Sequence, residues 1–117
     1  MIEILLQFVE TGIFRKRLDK LADLDLLFAI QADLLENPRL GDVIPGTNGA
    51  RKARIGDRSQ NRGKSGAFRY VYLYLEGVGI IYLLVLYGKN EMATLNPEET
   101  NNIGRLVKGL KAFYREK

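Results

Sequence analysis

The stretch YVYLYLEGVGIIYLLVLY at 70–87 constrains the fold of this chain more than any other. It has nearly the length and apolarity of a membrane span, yet Glu76, Gly77, Val78 and Gly79 interrupt it at the middle. A spanning helix needs about 20 predominantly apolar residues in succession, whereas two glycines and an acid within four positions make a turn. The reading is a β-hairpin with strands at 68–76 and Ile80–Tyr87. The second strand is apolar at every position, which marks it as a central strand covered on both faces. A lone hairpin is marginal in water, so the rest of the chain must supply that cover.

The flanking sequence supplies it from both sides. Residues 2–9, IEILLQFV, suit a first strand. Thr11 can cap a short helix in which Ile13, Phe14, Leu18 and Leu21 share one face, while Arg15, Lys16, Arg17 and Lys20 fall largely elsewhere. A second helix starts near Asp23; Leu26, Leu27, Ile30, Leu34 and Leu35 form its stripe, and Asn37-Pro38 stops it. The segment 37–49, NPRLGDVIPGTNG, reads as loop, and Arg51–Ile55 as a short strand. At the other end Asn96 can cap, Pro97 suits a first helical turn and Glu99 stands three positions after the cap. Ile103, Leu106, Val107, Leu110 and Phe113 then make a stripe whose expected partner is the protein's own sheet. The order strand, helix, helix, three strands, helix predicts a single α+β domain over 1–117, with a mainly antiparallel sheet of about four strands.

Charge separates one segment from the rest. In 49–69 seven bases, Arg51, Lys52, Arg54, Arg58, Arg62, Lys64 and Arg69, stand against one acid, Asp57. The whole chain has 18 bases and 14 acids, so the remainder is slightly acidic and the basic character is local. A local basic patch is the electrostatic footprint of a polyanion site, although a solvated loop has the same composition. The chain has neither histidine nor cysteine. That removes disulfides, thiolate chemistry, the usual neutral-pH base and the commonest transition-metal ligands, so no metal and no cofactor is expected. The opening residues lack a basic segment and a small-residue cleavage site, and a cytoplasmic protein is expected.

Several local patterns bear on chemistry. Gly63-Lys64-Ser65 ends like a phosphate-binding P-loop, but the earlier glycine that the motif needs is Arg58, and a strand follows where a helix is required. Lys52 and Arg54 share one face of their strand, and Arg69 shares a face with Val71, Leu73 and Leu75. An arginine at the head of an apolar stripe needs an anion, either an internal carboxylate such as Glu91 or a ligand phosphate. Tyr87-Gly88-Lys89-Asn90-Glu91 places a phenol, an amine and a carboxylate where the central strand leaves the core. Tyr70, Tyr72 and Tyr74 alternate on one face, where they can stack on bases or, more commonly, pack beneath helices. The segment 56–66, polar and with three glycines, is expected to be the most mobile internal stretch.

The runs LLENPRLGDVIPGTNGARKAR, RGKSGAFRYVYLYL and IYLLVLYGKNEMATLNPEE resemble the HigB-type branch of the RelE superfamily of toxins from type II toxin–antitoxin modules. The similarity runs from the first strand to the last helix. It implies a RelE-like fold with two N-terminal helices and a C-terminal helix, and a ribosome-dependent mRNA endonuclease that cuts messages in the ribosomal A site. It also implies a cognate antitoxin, often with a helix-turn-helix DNA-binding domain, so that operator DNA is met only through the complex. By the same resemblance Lys52, Arg54 and Arg69 hold and activate the scissile phosphate, Lys89 matches the basic position of a strand-end G-K motif, and Arg62 and Lys64 contact RNA or ribosome. Arg51, Arg58 and Tyr87 are candidate RNA contacts beside them. Asn90, and Leu95-Asn96 near the place of a family tyrosine, depart from some relatives and leave the general acid and base open.

The implied reaction needs no cofactor, because the 2′-OH of RNA can attack its own phosphodiester and leave a 2′,3′-cyclic phosphate. Two guanidiniums suit charge neutralisation. Lys52 suits proton transfer, since cationic neighbours and partial burial lower a lysine pKa. The competing reading is a non-catalytic nucleic-acid-binding module of the same fold that acts through its partner.

Overall fold

The computed structural model describes residues 5–56, 68–88, 91 and 95–115. In chain order the elements are β1 (Gln7–Glu10), α1 (Gly12–Leu21), α2 (Leu24–Glu36), β2 (Asp42–Val43), β3 (Arg51–Ile55), β4 (Phe68–Leu75), β5 (Ile80–Tyr87) and α3 (Pro97–Arg115). The strands form one sheet in the order β1-β5-β4-β3-β2, with β1 parallel to β5 and every other pair antiparallel. The expected α+β class and helix order hold. The sheet has five strands where about four were expected.

The extra strand is β2, whose two residues lie in the segment read as loop. It is extended because β3 lies beside it, with Asp42 opposite Lys52 and Val43 opposite Arg51. Gly41 permits the approach: a Cβ there would lie 2.6 Å from the Lys52 carbonyl oxygen. β1 begins later than expected, at Gln7, where the Gly79 carbonyl accepts from the Gln7 amide at 2.9 Å and β5 starts to offer a ladder. Residues 1–4 lie outside the described part.

The hairpin reading of 70–87 holds, and among the described residues no helix is long and apolar enough to cross a membrane. The Leu75 carbonyl accepts from the amides of Val78 and Gly79, and Gly79 takes a positive φ of 69° that a side chain would disfavour. β5 is an interior strand, between β1 and β4, and is covered on both faces, as its composition requires. It also carries a β-bulge: Val71 faces Val85 and Tyr72 faces Leu83, so Leu84 is an extra residue. Thr11 holds this point, its amide donating to the Leu83 carbonyl at 3.1 Å and its hydroxyl to the Leu84 carbonyl at 2.7 Å.

The same Thr11 hydroxyl accepts from the Phe14 amide and caps α1. Asp23 caps α2. At α3, Asn96 and Glu99 exchange backbone amide and side-chain oxygen at 3.1 and 2.8 Å, a reciprocal capping box. The helices bury two cores on opposite faces of the sheet. Phe14 and Leu18 of α1 and Leu26, Leu27, Ile30 and Leu34 of α2 cover Ala53, Ile55, Phe68, Tyr70, Tyr72, Ile81, Leu83 and Leu86. Ile103 and Val107 of α3 cover Val71, Leu73, Leu75, Ile80 and Leu84. Ile103, Val107 and Leu110 of the α3 stripe thus find their partner in the protein's own sheet, whereas Leu106 and Phe113 stay exposed.

Candidate functional site

Parity and register assemble the basic residues of β3 and β4. Lys52 and Arg54 point to the α3 face, and Arg54 stands directly opposite Arg69 across the antiparallel pair. Arg69 in turn stands opposite Tyr87 on β5. Arg54, Arg69 and Tyr87 therefore form a transverse row at one end of the sheet, with Lys52 one step along β3. Side chains directly opposite in such ladders have Cβ atoms ~4.5–5.5 Å apart, so two guanidinium forks here can close on one phosphate. Arg54 is exposed, while Lys52, Arg69 and Tyr87 are half-buried. Arginine facing arginine weakens a ladder when no anion lies between them.

The surroundings of Tyr87 favour its neutral, protonated form. Its pKa is pushed up to about 12, chiefly by burial and next by the Glu99 carboxylate, with Glu91 adding to the rise and Arg17 opposing it. At neutral pH the phenol keeps its proton and can donate a hydrogen bond to an anionic oxygen; it is not a base. Glu99 lies in the first turn of α3, which places that helix end beside the row.

The remaining candidates separate. Arg51 lies on the opposite face, opposite Tyr72, and its Nη1 donates to the Gly41 carbonyl at 2.7 Å and the Arg39 carbonyl at 3.5 Å. It ties down the 39–41 segment and stands apart from the row. Arg58, Arg62, Lys64 and Lys89 lie outside the described residues, as does most of 56–66 with its expected mobility. Glu91, weighed as the anion for Arg69, is engaged by Arg17 and by the Gly88 amide at 2.7 Å. Those two donors, the amide first, hold its carboxyl below the usual range.

The tyrosine row on the other face packs under helices. Tyr70 and Tyr72 have no exposed surface; the Tyr72 hydroxyl accepts from the Gly41 amide and donates to the Pro38 carbonyl, both at 2.9 Å. Tyr74 lies beneath the Arg39 guanidinium, 5.9 Å from ring centroid to carbon. None of these three rings is presented for stacking on bases.

Sequence reasoning missed Asp42, Glu99 and Arg17. Asp42 stands opposite Lys52 in the ladder only through β2, and a two-residue strand leaves no periodicity to find. Glu99 was visible as a capping residue, and its second role beside Tyr87 depends on where α3 lies.

One parallel edge strand on an otherwise antiparallel sheet, with two helices on one face and one on the other, is an α+β fold that solved RelE toxin structures share. The particular structures the chain is similar to include the isolated E. coli RelE toxin, at 18% identity and a TM-score of 0.51 over 87% of this chain and 99% of that one. A doubly substituted mutant of E. coli RelE in the free state matches at 16% identity and a TM-score of 0.54, over 73% of this chain and 84% of that one. At such identities the likeness establishes the fold. No family model matches the chain.

Proposed function

We propose that this chain is the toxin of a type II toxin–antitoxin module, of HigB type, and that it cuts mRNA on the ribosome without a metal ion. The observation that carries the reading is the row Arg54–Arg69–Tyr87 with Lys52 beside it on one sheet face. In this reading Arg54 and Arg69 grip the non-bridging oxygens of the scissile phosphate and neutralise the charge that grows as the 2′-OH attacks phosphorus. Tyr87, protonated at neutral pH, donates a hydrogen bond to the same group. Lys52 moves a proton at the attacking or leaving oxygen, and Lys89 follows Tyr87-Gly88 in the chain as a second amine. The ribosome aligns the 2′-OH, and alignment alone can supply ~7–11 kcal/mol of the barrier.

A cognate antitoxin, with a helix-turn-helix domain that carries the complex to operator DNA, silences the protein by covering the basic row with an acidic or amphipathic segment. The fold similarity to RelE toxins supports this partner class. The test is primer extension on a defined mRNA, with purified ribosomes and with ribosomes omitted. The expected result is codon-registered cuts ending in 2′,3′-cyclic phosphate, only on the ribosome. Lys52→Arg keeps charge but cannot act as a base, and is expected to bind ribosomes normally and cut poorly. Binding without any cleavage by the unaltered chain would instead assign it as a non-catalytic RNA-binding module.

A further inference from the structure

The end of β5 that carries Tyr87 is held in an unusual way. β1 stops at Glu10, opposite Leu83, so beyond this point β5 has no strand on that side. α1 takes over with side chains. The Thr11 hydroxyl donates to the Leu84 carbonyl at 2.7 Å, and Arg17 Nε donates to the Leu86 carbonyl at 2.9 Å. The other end of the same guanidinium pairs with Glu91, whose Oε1 also accepts from the Gly88 amide at 2.7 Å. The Glu91 amide closes the turn by donating to the Gly88 carbonyl at 3.1 Å.

One guanidinium thus fixes the residue before Tyr87 directly and the residue after it through a carboxylate. Tyr87 itself projects to the opposite face, level with Arg69. Leu21 of α1 completes the seat: a Cβ on Gly88 would meet its two methyl carbons at 3.4 and 3.6 Å and Glu91 Oε1 at 3.0 Å. A partly exposed ion pair contributes about 0–1 kcal/mol to stability, so global stability gives little reason for this arrangement. A fixed φ/ψ at the last residue of a strand, which otherwise frays, gives a direct one.

We propose that Arg17 is a positioning residue: with Glu91 it clamps the backbone on both sides of Tyr87 and aims the phenol at the anion held by Arg54 and Arg69. The proposal rests on the reading of that row as the RNA-cleaving site. Arg17 touches no reacting atom; it acts through the strand end.

The experiment compares Arg17→Ala, Arg17→Lys, Glu91→Ala and the double Arg17→Ala/Glu91→Ala variant on programmed ribosomes, with thermal melting and amide exchange on the same samples. Arg17→Ala is expected to lower kcat about ten- to hundredfold with KM and Tm close to those of the unaltered chain, the scale at which small misplacements act. Arg17→Lys restores part of the loss, and the double variant is no worse than the more affected single one. The Gly88 amide loses exchange protection in Arg17→Ala while Leu83, at the strand centre, keeps it. An unchanged kcat, or a fall in kcat matched by a fall in Tm and in Leu83 protection, overturns the proposal. If the unaltered chain cuts no RNA, the functional reading fails by itself and exchange decides the clamp: unchanged protection at Gly88 refutes it, and selective loss upholds it.

Discussion

Alternate residues of β3 and β4 experience two different environments. Toward α1 and α2, Ala53, Ile55, Phe68, Tyr70 and Tyr72 are all buried, the most exposed at 7%. Toward α3, Lys52, Arg54 and Arg69 are half-buried or exposed, and only farther along β4 do Val71, Leu73 and Leu75 become buried. Two helices cover the first face from Ile55 and Phe68 as far as Tyr72, and one helix covers part of the second. Charged groups keep their hydration only where no helix lies over them, since burying an unpaired charge costs several kcal/mol. The difference teaches that the incomplete roof, as much as the basic residues, creates the candidate site.

That division can be broken experimentally. Tyr72→Ala removes a fully buried ring from the covered face and is expected to cost about 3–5 kcal/mol, read as a large fall in urea midpoint. Arg69→Ala, on the same strand but on its open face, should leave that midpoint nearly unchanged and lower the rate of mRNA cleavage ~10²–10³-fold. An Arg69→Ala protein as unstable as Tyr72→Ala would show the two faces to be one structural unit.

Finer substitutions sharpen the contrast within the covered face. Tyr72→Phe leaves the Gly41 amide and Pro38 carbonyl without their partner and is expected to cost about 1–3 kcal/mol. The Tyr70 hydroxyl is buried with no hydrogen-bond partner among the described residues, and burial is the chief cause that raises its pKa. Tyr70→Phe removes that liability, so its melting temperature should equal or slightly exceed that of the unaltered chain.

What could be read from the sequence follows the distance between interacting groups. The hairpin turn, the Thr11 cap and the Asn96/Glu99 box were legible because partners lie within a few residues of each other. The common face of Lys52 and Arg54 was legible because strand parity is local, and Arg69 shared its face with an apolar stripe for the same reason. That Arg54 faces Arg69, and Arg69 faces Tyr87, required the register of three strands. β2 was illegible because its two residues are extended only through β3, so Asp42 was missed. Arg17 was placed with Arg15, Lys16 and Lys20 among the residues off the apolar stripe of α1. A helical wheel shows which side a guanidinium leaves from, and not how far around a strand end it reaches.

The bulge at Leu84 sets the phase of β5. Tyr82 and Tyr87 are an odd number of residues apart, and in an unbroken strand they would project to opposite faces; with one residue in excess both belong to the α3 side. The strand therefore behaves like a reading frame. Conservative exchanges along it alter single contacts, whereas removal of one residue from 83–85 would either turn Tyr87 away from Arg69 or drive Ile81 and Leu83 out of the α1–α2 core. Drift in this part of the chain can proceed by replacement but not by a one-residue deletion, and Thr11, bonded to both sides of the extra residue, is where that phase is kept.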